Sequence, residues 1–125
     1  MSTVRYIVAD VAAAKRFYVE ALGFAVMQEF GDAMAIISRG DLKLWLAGPM
    51  ASASKPMPDG RKPESGGWNR IVVEVDDIDA LVAKLKAAHV AFRNEPFSGP
   101  GGTQVLIEDP SGNPIEIFQA RGVST

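Results

Sequence analysis

Few side chains in this 125-residue chain can do covalent or metal chemistry: there is one histidine, His89, and no cysteine. A Ser-His-acid hydrolase needs an imidazole set between nucleophile and acid. His89 instead closes a helix-like segment, where a solvent-facing residue at a helix end is the expected role. The absence of thiols leaves the redox compartment illegible. Gly99-Pro100-Gly101-Gly102 is rich in glycine, but no helix follows it. A phosphate cradle depends on a helix N-terminus, so a hairpin turn or pocket rim is expected there. Trp68-Asn69-Arg70 stands just before a strand-like run; Trp68 either plugs a cavity mouth or covers the preceding loop. Arg93-Asn94, on a polar strand end, is within reach of a rim. What remains is the chemistry of carboxylates, guanidinium groups and aromatic rings: proton transfer, oxyanion stabilisation or ligand binding.

Charge narrows the partners. The net charge is −2, and Lys and Arg are scattered in runs no longer than two. Nucleic acid needs a concentrated basic face, so none is expected. No apolar run approaches the roughly 20 residues of a membrane span. No basic and then apolar segment precedes the first strand, so no signal peptide is expected. A cytoplasmic protein is the default expectation. The length suits one domain, able to bury roughly two-thirds of its unfolded surface without a staple.

The elements that must position these groups are read from an internal repeat. Val4, Tyr6 and Val8 alternate with polar positions, as do Ile71, Val73 and Val75. Each run predicts a strand with one face on a core. Asp10 and Asp77 follow as helix N-caps, and Val4/Ile71, Val8/Val75 and Asp10/Asp77 are each offset by 67 residues. Apolar stripes predict helices over about 11–22 and 78–88, with Gly23 ending the first. Three strand-like runs follow each helix, near 25–30, 33–38 and 42–47, then near 91–93, 103–108 and 115–119. Turn residues separate them. Each half therefore reads β-α-β-β-β: module 1 about 1–47, a Pro- and Gly-rich linker loop 48–67, and module 2 about 68–120. The loop is long enough to be either a functional lid or a plain crossover. The fold class is α+β, two βαβββ modules forming a curved, partly closed eight-stranded sheet in one domain, 1–125. A ligand would sit in its concavity.

Three stretches carry a resemblance: Arg5-Tyr6-Ile7-Val8-Ala9-Asp10; Arg16-Phe17-Tyr18 with Leu22-Gly23-Phe24; and Glu108-Asp109-Pro110-Ser111-Gly112-Asn113-Pro114-Ile115-Glu116-Ile117-Phe118. The last matches a DPxGNxxE pattern. In this order, and with the repeat, the chain resembles the vicinal oxygen chelate superfamily of glyoxalases, bleomycin-resistance proteins and extradiol dioxygenases. The resemblance implies a homodimer. It also implies four positions where many members hold a divalent metal with His, Gln or Glu; here they fall on Thr3, Trp45, Arg70 and Glu116. Only Glu116 is a usual ligand type, and Arg70 would repel a cation. No metal or other cofactor is therefore expected, with a divalent metal left open.

If those four positions face the cup, strand alternation brings others with them. Arg5 joins Thr3, Lys43 joins Trp45, Glu74 joins Arg70, and Phe118 joins Glu116. The candidate ligand-binding set is thus Thr3, Arg5, Lys43, Trp45, Arg70, Glu74, Glu116 and Phe118. Trp45 and Phe118 could stack on a planar ligand, or pack against another subunit. Arg70 could pair with an anionic group, or Arg70, Glu74 and Glu116 could satisfy one another. Three functions compete. The first is a binding protein that sequesters an aromatic or amphipathic small molecule without metal. The second is an enzyme with Glu116 or Glu74 as base and Arg70 stabilising an oxyanion; a carboxylate beside a cation is a poor base, which ranks it lower. The third is a domain serving assembly alone.

Overall fold

The computed structural model describes residues 2–122. Met1, where the first module is expected to begin, and residues 123–125 of the 1–125 span lie outside the described residues. The chain divides into two compact units, Met1–Gly66 with Pro110–Asn113, and Gly67–Asp109 with Pro114–Thr125.

The first unit holds β1 (Ser2–Ile7), α1 (Val11–Leu22), β2 (Ala25–Phe30), β3 (Met34–Arg39) and β4 (Leu42–Ala47). Asp10 starts α1 by accepting the Ala13 N–H at 3.1 Å. Gly23 ends it in the left-handed conformation at φ 74°, which a Cβ disfavours. Because α1 is a crossover, β1 runs parallel to β4, as parallel pairs require. The sheet order is β1-β4-β3-β2; we call this sheet 1. Its core face buries Tyr6, Ala35, Ile37, Leu44 and Leu46 against Val11, Ala14, Tyr18 and Leu22 of the helix.

The second unit repeats the plan with β5 (Ile71–Glu74), α2 (Ile78–Ala87), β6 (Phe97–Ser98), β7 (Gly102–Glu108) and β8 (Pro114–Ala120). Its sheet 2 has the order β5-β8-β7-β6. Asp77 caps α2 through the Ala80 N–H at 3.0 Å. Ile71, Val73, Val105, Ile107, Ile115 and Ile117 form the buried face. At the start of β7, a Cβ on Gly102 would stand 2.1 Å from the Gln119 carbonyl oxygen, so only glycine fits beside β8 there. The α+β class and the βαβββ repeat are as expected from the sequence, with four strands in each sheet.

One strand differs from expectation. Residues 91–93 make a single bridge, Phe92 to Ile107, and the regular pairing of this edge falls on β6 instead. The Asn94 side chain accepts the Leu106 N–H at 2.9 Å, taking the donor that the ladder would use next. Pro96 then has no N–H to offer. His89 is exposed at the end of α2 and occupies a left-handed position at φ 61°.

The segment between the modules is ordered by local bonds. A 3₁₀ turn, Ser52–Ser54, is tied back by the Ser54 hydroxyl donating to the Gly48 carbonyl at 2.7 Å. Its far end is held by Asn113, which is 4% exposed. Asn113 accepts the Gly66 N–H and donates to the Ile7 carbonyl, each at 2.8 Å. Ser111 of the same turn accepts the Ala9 N–H at 2.9 Å. Among the described residues, no helix is long and apolar enough to cross a membrane.

Candidate functional site

In sheet 1 the register puts Thr3 beside Lys43 and Arg5 beside Trp45. In-register neighbours share a face, and the buried alternates Tyr6, Leu44 and Leu46 hold the other one. Thr3, Arg5, Lys43 and Trp45 therefore all lie on the face turned away from α1. Ile36 of β3 stands in register with Trp45, and Met34 with Ala47, which extends this face with apolar side chains.

A cleft of about 340 Å³ opens on this face. Arg5, Trp45, Phe30, Met34, Ile36 and Met50 supply its larger side chains, and Ala51 to Ala53 of the 3₁₀ turn region close one wall. The Arg5 guanidinium carbon lies 4.9 Å from the Trp45 ring centroid, within cation–π range. The Trp45 indole Nε1 is buried with no hydrogen-bond partner among the described residues. An unsatisfied buried donor costs about 1–3 kcal/mol. Thr3 and Lys43 share the face without lining the cleft.

In sheet 2, Arg70 stands just before β5. Its Nε and Nη2 both donate to Glu116 Oε1, at 3.1 and 2.9 Å. The Arg70 side chain is 31% exposed and that of Glu116 13%. Oε2 of Glu116 has no partner among the described residues. Val72 is in register with Glu116 and Glu74 with Phe118, so Arg70, Glu74, Glu116 and Phe118 share the face away from α2. Glu74 also borders a cavity of about 490 Å³ beside Asp76, Gln119 and Arg121. A third cavity, about 600 Å³, lies between the end of β1 and the 49–65 segment.

Two other expected features resolve into structural contacts. Arg93 donates through Nε to Glu108 at 2.7 Å and through Nη1 to the Gly67 carbonyl at 2.7 Å. It also stacks over Trp68, 4.6 Å from the ring centroid. Arg93 thereby pins the segment leading into β5, with Trp68 as an exposed cover over the guanidinium.

The metal positions implied by the resemblance fail a test of donor chemistry. Trp45 and Arg70 offer a cation no donor, Thr3 offers only a weak hydroxyl, and the one carboxylate, Glu116, already binds a guanidinium through Oε1. Among the described residues, no three His, Cys, Asp or Glu side chains cluster to hold a metal ion.

Sequence reasoning missed Phe30, Met34, Ile36 and Met50–Ala53 as cleft walls. The first three lie on strands whose parity is readable, so their face could have been found by extending the register from Trp45. Met50–Ala53 carry no such signal, because their position depends on how the loop folds back.

The family model described as "Glyoxalase/Bleomycin resistance protein/Dioxygenase superfamily" matches residues 1–117. "Uncharacterized protein YaeR" of Escherichia coli (strain K12) is 33% identical over 118 residues, covering 90% of each chain. "Methylmalonyl-CoA epimerase, mitochondrial" of Bos taurus is 30% identical over 122 residues, covering 90% of this chain and 70% of the relative. Among solved structures, TnmS3, an antibiotic binding protein from Streptomyces sp. CB03234, superposes with a TM-score of 0.72 at 29% identity, over 94% of this chain and 93% of that one.

Proposed function

The chain belongs to the Glyoxalase/Bleomycin resistance protein/Dioxygenase superfamily, and from that premise we propose that it is a metal-free small-molecule-binding protein whose ligand sits on Trp45. The observation that carries this reading is the sheet 1 cleft, where an apolar wall that includes Trp45 meets one cation. Ligand sites are typically concave and apolar with a few directed polar groups. The resemblance to an antibiotic binding protein supports the same class. In this reading Thr3 and Lys43 extend the face for ligand parts outside the cleft. On sheet 2, Arg70, Glu74, Glu116 and Phe118 make a polar and aromatic face of their own. The protein acts in the cytoplasm as a homodimer.

A thermal-shift screen of small aromatic and amphipathic compounds, bleomycins included, tests the binding reading. A ligand at a hundredfold over its Kd stabilises by about 2.7 kcal/mol, which raises Tm by roughly 10 °C in a domain of this size. Trp45→Ala abolishes the shift. A diverse screen without a single stabiliser sinks the proposal. Elemental analysis finding a stoichiometric transition metal in the purified protein overturns its metal-free part.

A second reading rests on Glu116 and on the resemblance to the epimerase. With Oε1 held by Arg70, Oε2 could accept a proton from carbon α to a carbonyl, while Arg70 stabilises the enolate oxygen that receives the electron pair. Proximity to the guanidinium weakens that base, so this reading stands second. If an activity is measured and Glu116→Gln removes it with binding retained, the ranking reverses.

A further inference from the structure

Resting on the reading of the sheet 1 cleft as a ligand site, we infer that its ligand is an anion. It would be a compound with one or two rings or a short alkyl body, carrying a carboxylate or similar group that meets Arg5. Four observations carry this.

Among the described residues, Arg5 is the only charged one bordering the cleft; it is exposed, and no carboxylate in the cleft neutralises it. Neither Arg5 nor Lys43, on the same face, has a carboxylate partner among the described residues. Sheet 2 behaves otherwise, although Arg16, Lys55, Lys62 and Arg121 elsewhere also have no carboxylate partner among the described residues. On sheet 2, Arg70 pairs with Glu116 and Arg93 with Glu108. Lys15, Arg61 and Lys86 are paired elsewhere. The chain has 15 acidic against 13 basic residues, so a face with two unmatched cations does not follow from an excess of bases.

The indole N–H of Trp45 points to the same chemistry. It is a buried donor without an acceptor among the described residues, and a ligand oxygen would satisfy it once the ring turns that edge towards the cleft. A cationic or purely donor ligand would leave it orphaned and would repel Arg5. Size and lining set the rest of the molecule. At about 340 Å³ the cleft is near the lower end of the roughly 300–1,000 Å³ of ligand pockets. Phe30, Met34, Ile36 and Met50 offer apolar contact, the methionines adaptably.

The test uses calorimetry on the full chain with matched carboxylate, carboxamide and ammonium probes: 2-naphthoate, 2-naphthamide and 2-naphthylmethylammonium, then decanoate, decanamide and decylammonium. A charge-assisted bond to Arg5 should make the carboxylate of at least one series bind about tenfold tighter than its amide, with the ammonium weakest. Arg5→Gln should bring the carboxylate-to-amide ratio towards one, and Arg5→Lys should retain most of it. Circular dichroism of each variant guards against misfolding. Equal binding of carboxylate and amide, or tighter binding of the ammonium, overturns the anion assignment and leaves the binding reading standing. Should none of the six bind, the anion assignment falls; if the wider thermal-shift screen is also empty, the binding reading falls with it.

Discussion

At the scale of single residues, the two sheets use their charges in opposite ways. Arg5 on sheet 1 lies over an aromatic ring with no carboxylate, whereas Arg70 on sheet 2 is locked to Glu116. The second arrangement has a measurable consequence. Arg70→Met leaves Glu116, only 13% exposed, without its counter-ion. Loss of one partner from a fully buried pair costs about 3–5 kcal/mol, and partial exposure screens that down to about 1–2 kcal/mol here. Replacing both residues by Met should recover most of the loss, because no charge is left uncompensated. Urea denaturation of the two single variants and the double variant checks this. A double variant no more stable than Arg70→Met would mean that Glu116 contributes through other contacts.

At the scale of elements, the two helices begin alike and end differently. Both start on an aspartate that accepts an N–H three residues on. Their left-handed ends fall on Gly23 and His89. A side chain in that conformation costs roughly 1–2 kcal/mol relative to glycine. Gly23→Ala should therefore destabilise by about 1 kcal/mol, and His89→Gly should stabilise by a similar amount or slightly less. Thermal melts showing the same sign for both substitutions would contradict the argument. The turn after β7 is the other element with a defined task. Asn113→Ala removes bonds to Gly66 and Ile7, leaving a part-buried acceptor and donor unmatched, and should cost about 1–2 kcal/mol. Hydrogen exchange should show faster opening at Gly66 than at the Ile37 amide of the sheet 1 core.

At the scale of the whole molecule, β2 is the exposed edge of sheet 1. All six of its residues are exposed, among them Val26, Met27 and Phe30. An edge strand that exposes Val26, Met27 and Phe30 invites pairing with another chain, although Glu29 and the irregular register between Val26 and Gln28 blunt it; the exposed apolar residues support the homodimer proposed above. Met27→Lys should weaken self-association. Sedimentation velocity at micromolar concentration should show a smaller species for the variant than for the parent. Identical sedimentation of the two would place any association elsewhere.

Periodicity, with the helix caps and turn residues, determined most elements of the fold. Val4, Tyr6 and Val8 repeat as Ile71, Val73 and Val75, the capping aspartates repeat at the same offset, and strand parity follows because side chains alternate by covalent geometry. Those are local rules, so the sequence carries them. The weak strand at 91–93 escaped that logic, since it was decided by the Asn94 side chain reaching Leu106. The cleft was also beyond reach. Trp45 and Arg5 were identifiable, and the Arg70–Glu116 pairing was one of two alternatives the sequence offered, but the Met50–Ala53 wall and the unsatisfied indole nitrogen exist only once distant segments are packed together. Tertiary structure decides which polar groups find partners, because hydrogen bonds and ion pairs require approach to within a few ångströms.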